Sequence, residues 1–390
     1  MVAADVTADS VIDSVREIIP QLRENGREAE ERRWLTDDTL TLLDKAGVFR
    51  VGTPSRFGGF DLPLAQQAKV LIEVARGCGS AGWVAMVYVS NAWCATLYPD
   101  RAQKEVFANP SVRISGGFTP SGKLVPADGG YELNGSWRFN TGCRGAEWNI
   151  TAAILERPDG THDEAIAIVP MSEFSVADDW DVFAAAGTGS STSIAQGVFV
   201  PAHRVITFEE AILNSAADRN NSAGRDYALL PLVMSECSAV CIGIAHGAYD
   251  LFMDRVPGRP ITYTNWTDQR QHPLTQIQVA TAANKIAAAE GLSAGWWPML
   301  QSRADAGEQP TVEEKALMRG QTAYAIQLAR EAVDVLFKAS GASAIRRSLA
   351  IQRFFRDIQA FAQHALLLVE TNFEVQGRVL LGLDPETPFL

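Results

Sequence analysis

The chain is poor in the residues from which metal centres and disulfide frameworks are built. Its 390 residues include five histidines and five cysteines. The histidines do not pair at metal-ligand spacing, and an odd number of scattered cysteines does not make a disulfide framework. Cys237 and Cys241 lie four residues apart in an apolar stretch, and we interpret them as buried thiols. We therefore expect a reduced protein without a metal site, whose redox chemistry would depend on a bound organic cofactor.

Basic residues are also in the minority. The chain has 34 lysines and arginines against 46 acidic residues, which gives a net charge of -12. Such a balance repels nucleic-acid phosphates and anionic membranes. No uninterrupted apolar run approaches the roughly 20 residues that a membrane-spanning helix needs. The first residues, 1–16, lack the apolar core of a signal peptide. We expect a cytoplasmic protein with neither a nucleic-acid nor a membrane partner.

Apolar residues, at 47% of the chain, are abundant and fall into three successive patterns. Helical spacing predicts helices in the first third, at residues 9–31, 39–46, 64–76 and 80–97. Short β-type runs then alternate with turn signals between residues 112 and 208, which predicts an antiparallel barrel or sandwich. Long Ala- and Leu-rich windows predict a four-helix bundle in the last part, at residues 229–256, 276–301, 312–339 and 349–379.

These patterns divide the chain into three predicted domains. They are an N-terminal helical domain at residues 1–111, a middle β-barrel domain at residues 112–212 and a C-terminal helical bundle at residues 213–390. The fold class that follows is α+β and mostly α, with the β domain between two helical ones.

Several motifs, in order along nearly the whole chain, resemble the acyl-CoA dehydrogenase superfamily. They are residues 42–48 with Gly58-Gly59, residues 128–137, residues 187–190 with 198–201, and residues 351–357. The resemblance implies the fold of that superfamily, in which an N-terminal helical domain, a middle antiparallel β domain and a C-terminal four-helix bundle follow one another.

Within that superfamily the chain is most similar to the oxygenase components of two-component flavin hydroxylases. The motifs that fit this branch are Gly82-Trp83-Val84, Asn140-Thr141-Gly142-Cys143, Ser340-Gly341-Ala342 and Gln363-His364-Ala365. In most dehydrogenases of the superfamily a glutamate lies about nine residues after the arginine that corresponds to Arg356. That position is Ala365 here, so the resemblance implies that the dehydrogenase's catalytic carboxylate is missing.

The same resemblance implies a cofactor and partners. Such an oxygenase takes reduced FAD, or alternatively reduced FMN, from a separate flavin reductase by diffusion. It then uses dioxygen, through a flavin hydroperoxide, to oxygenate a small-molecule substrate. A homotetramer is also implied. The resemblance implies that Phe118 and Thr119 bind the flavin through the backbone, and that Phe139, Asn140, Thr141 and Gly142 lie around the ring and its N5. Arg259 would bind the phosphates from a neighbouring subunit, and Ser340, Gly341 and Ala342 would cradle the cofactor across the tetramer interface.

The resemblance also implies the catalytic residues. His364 is the candidate acid, base or hydrogen-bond donor, because histidine titrates near neutral pH. Asn91 and Gln359 occupy positions at which the branch's phenol hydroxylases carry histidines. A site with fewer bases favours a substrate that is electron-rich without deprotonation, such as an indole or another fused aromatic. The leading hypothesis is aromatic hydroxylation of an indole-like, phenolic or polycyclic compound. The alternatives are amine N-oxygenation, an acyl-CoA dehydrogenase and a non-catalytic scaffold.

Overall fold

The N-terminal third folds into helices. A computed structural model describes residues 7–157, 159–212, 225–387 and 389–390. The helices of the first third are α1 (Ala8–Arg32), α2 (Asp37–Lys45), α3 (Leu64–Gly77), α4 (Gly79–Ala95) and α5 (Asp100–Val106). Their ends follow from local chemistry: the Thr36 side chain accepts from the Thr39 N–H at 3.0 Å and caps α2, and Gly47 follows α2 with a φ of 83°.

The middle of the chain forms one seven-stranded sheet. The strands are β1 (Ile114–Ala127), β2 (Gly130–Trp137), β3 (Trp148–Glu156), β4 (His162–Pro170), β5 (Ser175–Val176), β6 (Ser193–Pro201) and β7 (Val205–Thr207). Their order across the sheet is β5-β6-β2-β1-β3-β4-β7. A short helix, α6 (Phe208–Ile212), follows β7. The boundary predicted at residue 213 lies outside the described residues, so the three domain limits stay predictions.

One strand pair departs from the predicted antiparallel pattern. β1 and β3 run parallel, whereas the other neighbouring pairs are antiparallel. The reason is that the β1–β2 hairpin returns the chain to the start of β1. The loop at residues 138–147 then begins β3 beside that start, so both strands run the same way. The direction of this one strand pair was predicted wrongly. The mostly helical fold class with a middle β domain is confirmed.

The last part of the chain is a helical bundle. Its helices are α7 (Leu229–Arg255), α8 (Pro273–Ala306), α9 (Val312–Ala339), α10 (Ile351–Phe361) and α11 (Val369–Leu380). α7 is long and apolar enough to cross a membrane by length and composition, but 83% of its most apolar window is buried inside the protein. α7 is therefore the core helix of the bundle.

The fourth bundle helix is not continuous, which corrects the helix predicted at 349–379. α10 ends at Phe361 and α11 begins at Val369. No proline or glycine lies in the break. Instead, the wholly buried Asn372 donates to the carbonyls of Leu366 and Leu368 at 3.0 and 2.7 Å. Because this side chain takes the place of helical N–H groups, the interrupted backbone keeps its hydrogen bonds.

Candidate functional site

One face of α4 forms a wall that reaches solvent at a single point. Every residue of α4 is buried except Val87, which is partly exposed. Trp83, Val87 and Asn91 follow one another at four-residue spacing and therefore share a face of the helix. A partly exposed residue on an otherwise buried helix indicates that this face borders a cleft. The cleft is the candidate site.

Aromatic rings from two elements meet on this wall. The Trp83 indole stacks on the Phe361 ring at the end of α10, with centroids 4.3 Å apart and planes within 3°. The His364 imidazole lies beside the same indole, with ring centroids 5.9 Å apart. Trp83 and Phe361 are themselves buried, so the stack is a fixed part of the wall rather than a mobile pair.

His364 lies in the break between α10 and α11. The sequence had predicted it to lie within a helix, at 349–379. Its Nδ1 accepts from the Leu366 N–H at 3.3 Å. Because Nδ1 acts as the acceptor, the proton of the neutral imidazole is on Nε2, which is left as a hydrogen-bond donor. The side chain is exposed, yet the surrounding protein lowers the pKa of His364 by desolvation. A group that is accessible but surrounded by protein lines a cleft.

The two other predicted catalytic residues differ in their placement. Asn91 is buried on the α4 wall, and its Nδ2 donates to the Ile114 carbonyl at the start of β1, at 3.1 Å. This bond joins the wall to the sheet. Gln359 is half-buried on α10, two residues before Phe361 and hence about 200° around the helix from it. The structure therefore brings Asn91 and His364 to the Trp83 face but does not bring Gln359 there.

The strand that borders Asn91 contains a bulge. β1 pairs with β3 up to Gly117 and again from Gly122, and the register shifts between them. Residues 118–121 have no partner in the β1–β2 and β1–β3 ladders. Phe118 and Thr119, the predicted backbone contacts of the flavin, are in this bulge and are exposed. Because these two residues are exposed and lie outside the ladder register, their backbone is positioned to meet a ligand.

The loop after β2 carries the four residues predicted around the flavin ring. Phe139 is 72% exposed, has a φ of 57° and meets the Trp180 ring edge-on at 5.7 Å. Gly142 has a φ of 71°, and a Cβ there would lie 2.8 Å from the hydroxyl oxygen of Tyr88. That hydroxyl donates to the Gly142 carbonyl at 2.6 Å. The loop thus presents an aromatic face on a backbone whose left-handed residues are held by packing and by hydrogen bonds.

Asn140 and Thr141 are turned into the protein. The Asn140 Nδ2 donates to Asn149 Oδ1 at 3.0 Å and to Ser193 Oγ at 2.6 Å, which ties the loop to β3 and β6. The Thr141 hydroxyl lies 2.9 Å from that of Ser190. Asn140 is wholly buried, whereas Thr141 is 7% exposed. Of the two, Thr141 is therefore the side chain closer to a ligand.

A buried carboxylate joins this loop region to α10 and α4. Asp357 accepts from the Ala185 N–H at 2.7 Å and from the Ser80 hydroxyl at 3.3 Å. Burial raises the pKa of Asp357, although the Ala185 bond and the positive charge of Arg353 oppose that change. One side chain thus connects the β-domain loop, the wall helix and the helix that leads to His364.

A second cluster, built from two arginines, lies around residues 340–343. The Arg259 Nη2 donates to the Ser340 carbonyl at 2.6 Å, and the Arg255 Nη2 donates to Ser343 Oγ at 2.5 Å. Burial and the nearby Arg255 lower the pKa of Arg259. In the described part of the chain neither guanidinium has a carboxylate within ion-pair distance, and the buried Arg255 Nη1 has no hydrogen-bond partner. Such a cluster suits an anion.

This arginine cluster is separate from the Trp83 cleft. Gly341 and Ala342, which complete it, are exposed, and Gly341 has a φ of 67°. No hydrogen bond, ion pair or ring contact between described residues joins the cluster to the Trp83–His364 wall or to the loop of Thr141. Within one chain, the two groups of predicted flavin contacts are thus not brought together.

Sequence reasoning missed four residues at or behind the site. Thr188, Ser190 and Asp357 lie within recognised motifs, but their roles depend on contacts across the fold. Glu236 on α7 is wholly buried against Ser90 of α4, and burial raises its pKa to about 8. A signal for Glu236 was present: it is the only charged residue in the apolar run 229–245. Among the described residues no cluster of His, Cys, Asp and Glu could hold a metal ion.

Comparisons with known proteins agree with this architecture. The family model of the acyl-CoA dehydrogenase N-terminal domain matches residues 7–113, and that of the C-terminal domain matches residues 236–368. The chain belongs to the acyl-CoA dehydrogenase family, and the predicted resemblance is confirmed.

Its relatives within the family are oxygenases. The chain is 30% identical to the oxygenase subunit HsaA of a flavin-dependent monooxygenase from Mycobacterium tuberculosis, over 97% of both chains. It is also 30% identical to the oxygenase component of an FADH2-dependent resorcinol hydroxylase from Rhizobium, over 96% of this chain and 95% of the other. XiaF from Streptomyces, solved with FADH2 and glycerol, has a TM-score of 0.92 at 27% identity, over 98% of both chains.

Proposed function

We propose that the chain is the oxygenase component of a two-component monooxygenase. It would take reduced FAD from a separate flavin reductase and hydroxylate an electron-rich aromatic small molecule. The observation that carries the proposal is the cleft in which His364 and the Trp83–Phe361 stack meet, with no carboxylate at Ala365 to abstract a proton. When bound, reduced flavin supplies the electrons that activate dioxygen and transfers one oxygen atom to the substrate.

The residues present suit a flavin. The bulge at Phe118 and Thr119 would place exposed backbone against the polar edge of a ring system. Phe139 offers an exposed aromatic face, and Thr141 a hydroxyl beside it. His364, whose Nε2–H is free to donate, would supply a hydrogen bond to the reacting oxygen. The buried wall of α4 would exclude water from this side of the site.

We favour FAD over FMN because of the arginine cluster. Arg255 and Arg259 form an anion site without a carboxylate, and a partnerless buried Nη1 calls for an acceptor such as a phosphate oxygen. FAD carries a diphosphate and an adenosine beyond the ring, which could reach such a site. Because the cluster makes no contact with the Trp83 cleft of its own chain, it would serve the flavin of a neighbouring subunit.

A homotetramer in the cytoplasm is the assembly that we propose. Apolar side chains at seven-residue spacing are exposed on two adjacent helices: Leu317 and Tyr324 on α9, and Phe373 and Leu380 on α11. Contiguous exposed apolar surface favours association with another chain. Light scattering on the purified protein tests the number of subunits, and a monomer would contradict this part of the proposal.

The substrate would be a flat, electron-rich ring. A stacked aromatic wall favours another aromatic group beside it, and Asn91, being committed to the Ile114 carbonyl, offers no base to ionise a phenol. The substrate would therefore react in its neutral form. Indole-like and polycyclic compounds fit this description better than a simple phenol.

The direct test supplies reduced FAD from a reductase under labelled dioxygen, with a panel of indoles, phenols and fused aromatics. We expect a product that carries one labelled oxygen atom. In a parallel test, the protein with oxidised FAD is mixed with acyl-CoA thioesters in the absence of oxygen. Bleaching of the flavin by a thioester, together with no labelled product from any aromatic, would identify a dehydrogenase and contradict the proposal.

Replacing Arg259 by Met should weaken the binding of FAD about tenfold or more and leave that of riboflavin unchanged.

A further inference from the structure

The Thr141 hydroxyl is the outer end of a chain of hydrogen bonds. Thr141 Oγ1 lies 2.9 Å from Ser190 Oγ, and Ser190 Oγ lies 2.7 Å from Thr188 Oγ1. Thr188 Oγ1 in turn lies 2.8 Å from the Ala185 carbonyl oxygen. All of these residues are buried, and Thr141, at 7%, retains the most exposure among the three hydroxyl residues. We call Thr141, Ser190 and Thr188 the hydroxyl relay.

The direction of every hydrogen bond in the relay is determined by its inner end. A carbonyl oxygen has no hydrogen to give, so the Thr188 hydroxyl must donate to Ala185. Each hydroxyl has a single hydrogen, so Thr188 can only accept from Ser190. Ser190 has then used its hydrogen and can only accept from Thr141. The Thr141 hydrogen is therefore directed inwards, and only lone pairs of Thr141 Oγ1 are left for a ligand.

The inner end is itself held firmly. The Ala185 N–H donates to the buried Asp357, and Ala185 has a φ of 55°, a conformation that a residue with a Cβ adopts only when its surroundings impose it. The Thr188 N–H and the Trp180 Nε1–H also donate to the Ala185 carbonyl, at 3.0 and 3.3 Å. This carbonyl is thus a fixed acceptor, and the relay cannot reverse while Thr188 keeps its hydroxyl.

We propose that the hydroxyl relay makes Thr141 an obligate acceptor and thereby makes the site selective for reduced over oxidised flavin. The inference depends on the proposed function, because it takes the flavin N5 as the partner of Thr141. Reduced flavin has an N–H at N5, which an acceptor binds. Oxidised flavin has a bare nitrogen there, which faces the lone pairs of Thr141 and gains no hydrogen bond. Product flavin would thus be released in favour of the reduced flavin that the reductase delivers.

The test measures equilibrium binding, without turnover. Dissociation constants for oxidised FAD in air and for chemically reduced FAD without oxygen are determined for the wild-type chain, Thr188→Val and Ser190→Ala. Either variant frees the Thr141 hydrogen to turn towards the flavin. We expect reduced FAD to bind more weakly and oxidised FAD to bind more tightly than in the wild type. The dissociation constant of oxidised FAD divided by that of reduced FAD should therefore fall about tenfold. Thr141→Val, which loses the hydroxyl, should weaken only the reduced form.

Matched variants distinguish a change in the direction of the relay's hydrogen bonds from damage to the loop. Thr188→Ser keeps the hydroxyl and should keep the wild-type ratio. Ser191→Ala removes a neighbouring hydroxyl outside the relay and should also keep it. Circular dichroism and thermal unfolding check that each variant folds. Equal weakening of both flavin forms in Thr188→Val and Ser190→Ala, or an unchanged ratio, would overturn the relay's role. A wild-type chain that binds neither form would instead contradict the proposed function itself.

Discussion

The Trp83 and Phe361 rings stack face to face, with centroids 4.3 Å apart, and this contact joins α4 to the end of α10 just before His364. Phe361→Leu should raise KM for an aromatic substrate several-fold with a smaller change in kcat. The reason is that the variant keeps an apolar residue but loses the flat surface, which is worth about 1 kcal/mol for an aromatic pair. Steady-state kinetics with reductase-supplied flavin measure both constants.

A second stack on the other side of α10 provides the control. Phe355 stacks on Phe337 of α9, with centroids 4.2 Å apart and planes within 10°. Phe355→Leu removes the same kind of contact from the same helix, away from the Trp83 face. It should lower stability to a similar extent and leave KM unchanged. An equal rise of KM in both variants would mean that the stack acts only through the stability of α10.

His364→Ala should retain flavin binding and lose product formation by about a hundredfold, the usual scale for a general acid or base. Reduced flavin would still be oxidised, so the yield of product per flavin is the quantity to measure. His246 on α7, whose Nε2 lies 2.7 Å from Glu290 Oε1 of α8, provides the control. His246→Ala should keep the yield. Full turnover by His364→Ala would remove this residue from the mechanism.

The pH dependence of activity should show that the neutral form of His364 is the active one. Desolvation lowers the pKa of His364 from its usual 6.5, and protonation would also break the bond that Nδ1 accepts from Leu366. Any stability that depends on this group is therefore present above pH 6.5 and is lost as the pH falls through the lower folded-state pKa. The product yield should be flat above pH 6.5 and fall only as the pH drops through the lower pKa of the folded protein. A yield that rises on acidification would show that the imidazolium is the active form.

Asn372→Ala should destabilise the fold by about 2–4 kcal/mol, since it leaves buried groups without partners. Asn372 donates to the Leu366 and Leu368 carbonyls and accepts from the Arg319 Nε at 2.8 Å. Urea unfolding measures the loss. Asn372→Asp keeps the acceptor for Arg319 but loses both donors, so a loss close to that of the alanine variant would assign the effect to the carbonyls. A loss below about 0.5 kcal/mol in both variants would contradict this account.

Sequence patterns predicted the elements that depend on local chemistry. The apolar spacing that predicts helices at residues 9–31 and 39–46 is a property of a few neighbouring residues. The branch of the family also followed from motifs that stay together along the chain. These features repeat in any chain with the same local pattern, which is why they could be inferred before the fold was known.

What the sequence could not show depends on partners far apart along the chain. The break before α11 has no glycine or proline. Asn372 bonds its carbonyls, and Arg319, 53 residues away, donates to Asn372. The Thr141–Ser190 bond joins residues 49 apart, and the Asp357–Ala185 bond joins residues 172 apart. Small hydroxyl residues have little meaning until a fold brings them together. The direction of the relay is a property of that arrangement alone.

Glu236→Gln should make the protein more stable at alkaline pH. Glu236 is wholly buried, one of its carboxyl oxygens has no hydrogen-bond partner, and its pKa is about 8 in the folded chain. Because that pKa lies above the unfolded value of 4.5, the folded state holds its proton longer. Stability therefore falls as the pH rises from 4.5 to about 8, by up to about 1.4 kcal/mol per pH unit. The glutamine variant has no such proton to lose.

Urea unfolding of both proteins between pH 5 and pH 9 measures this difference. The two stabilities should diverge steadily up to about pH 8 and then run in parallel, because the folded carboxyl is ionised above its pKa. Ser90→Ala provides the matched control: Ser90 donates to the carboxylate and so lowers its pKa. Without that donor the divergence from Glu236→Gln should continue to a higher pH. Parallel curves for the wild type and Glu236→Gln over the whole range would show that Glu236 is ionised in the folded protein at neutral pH.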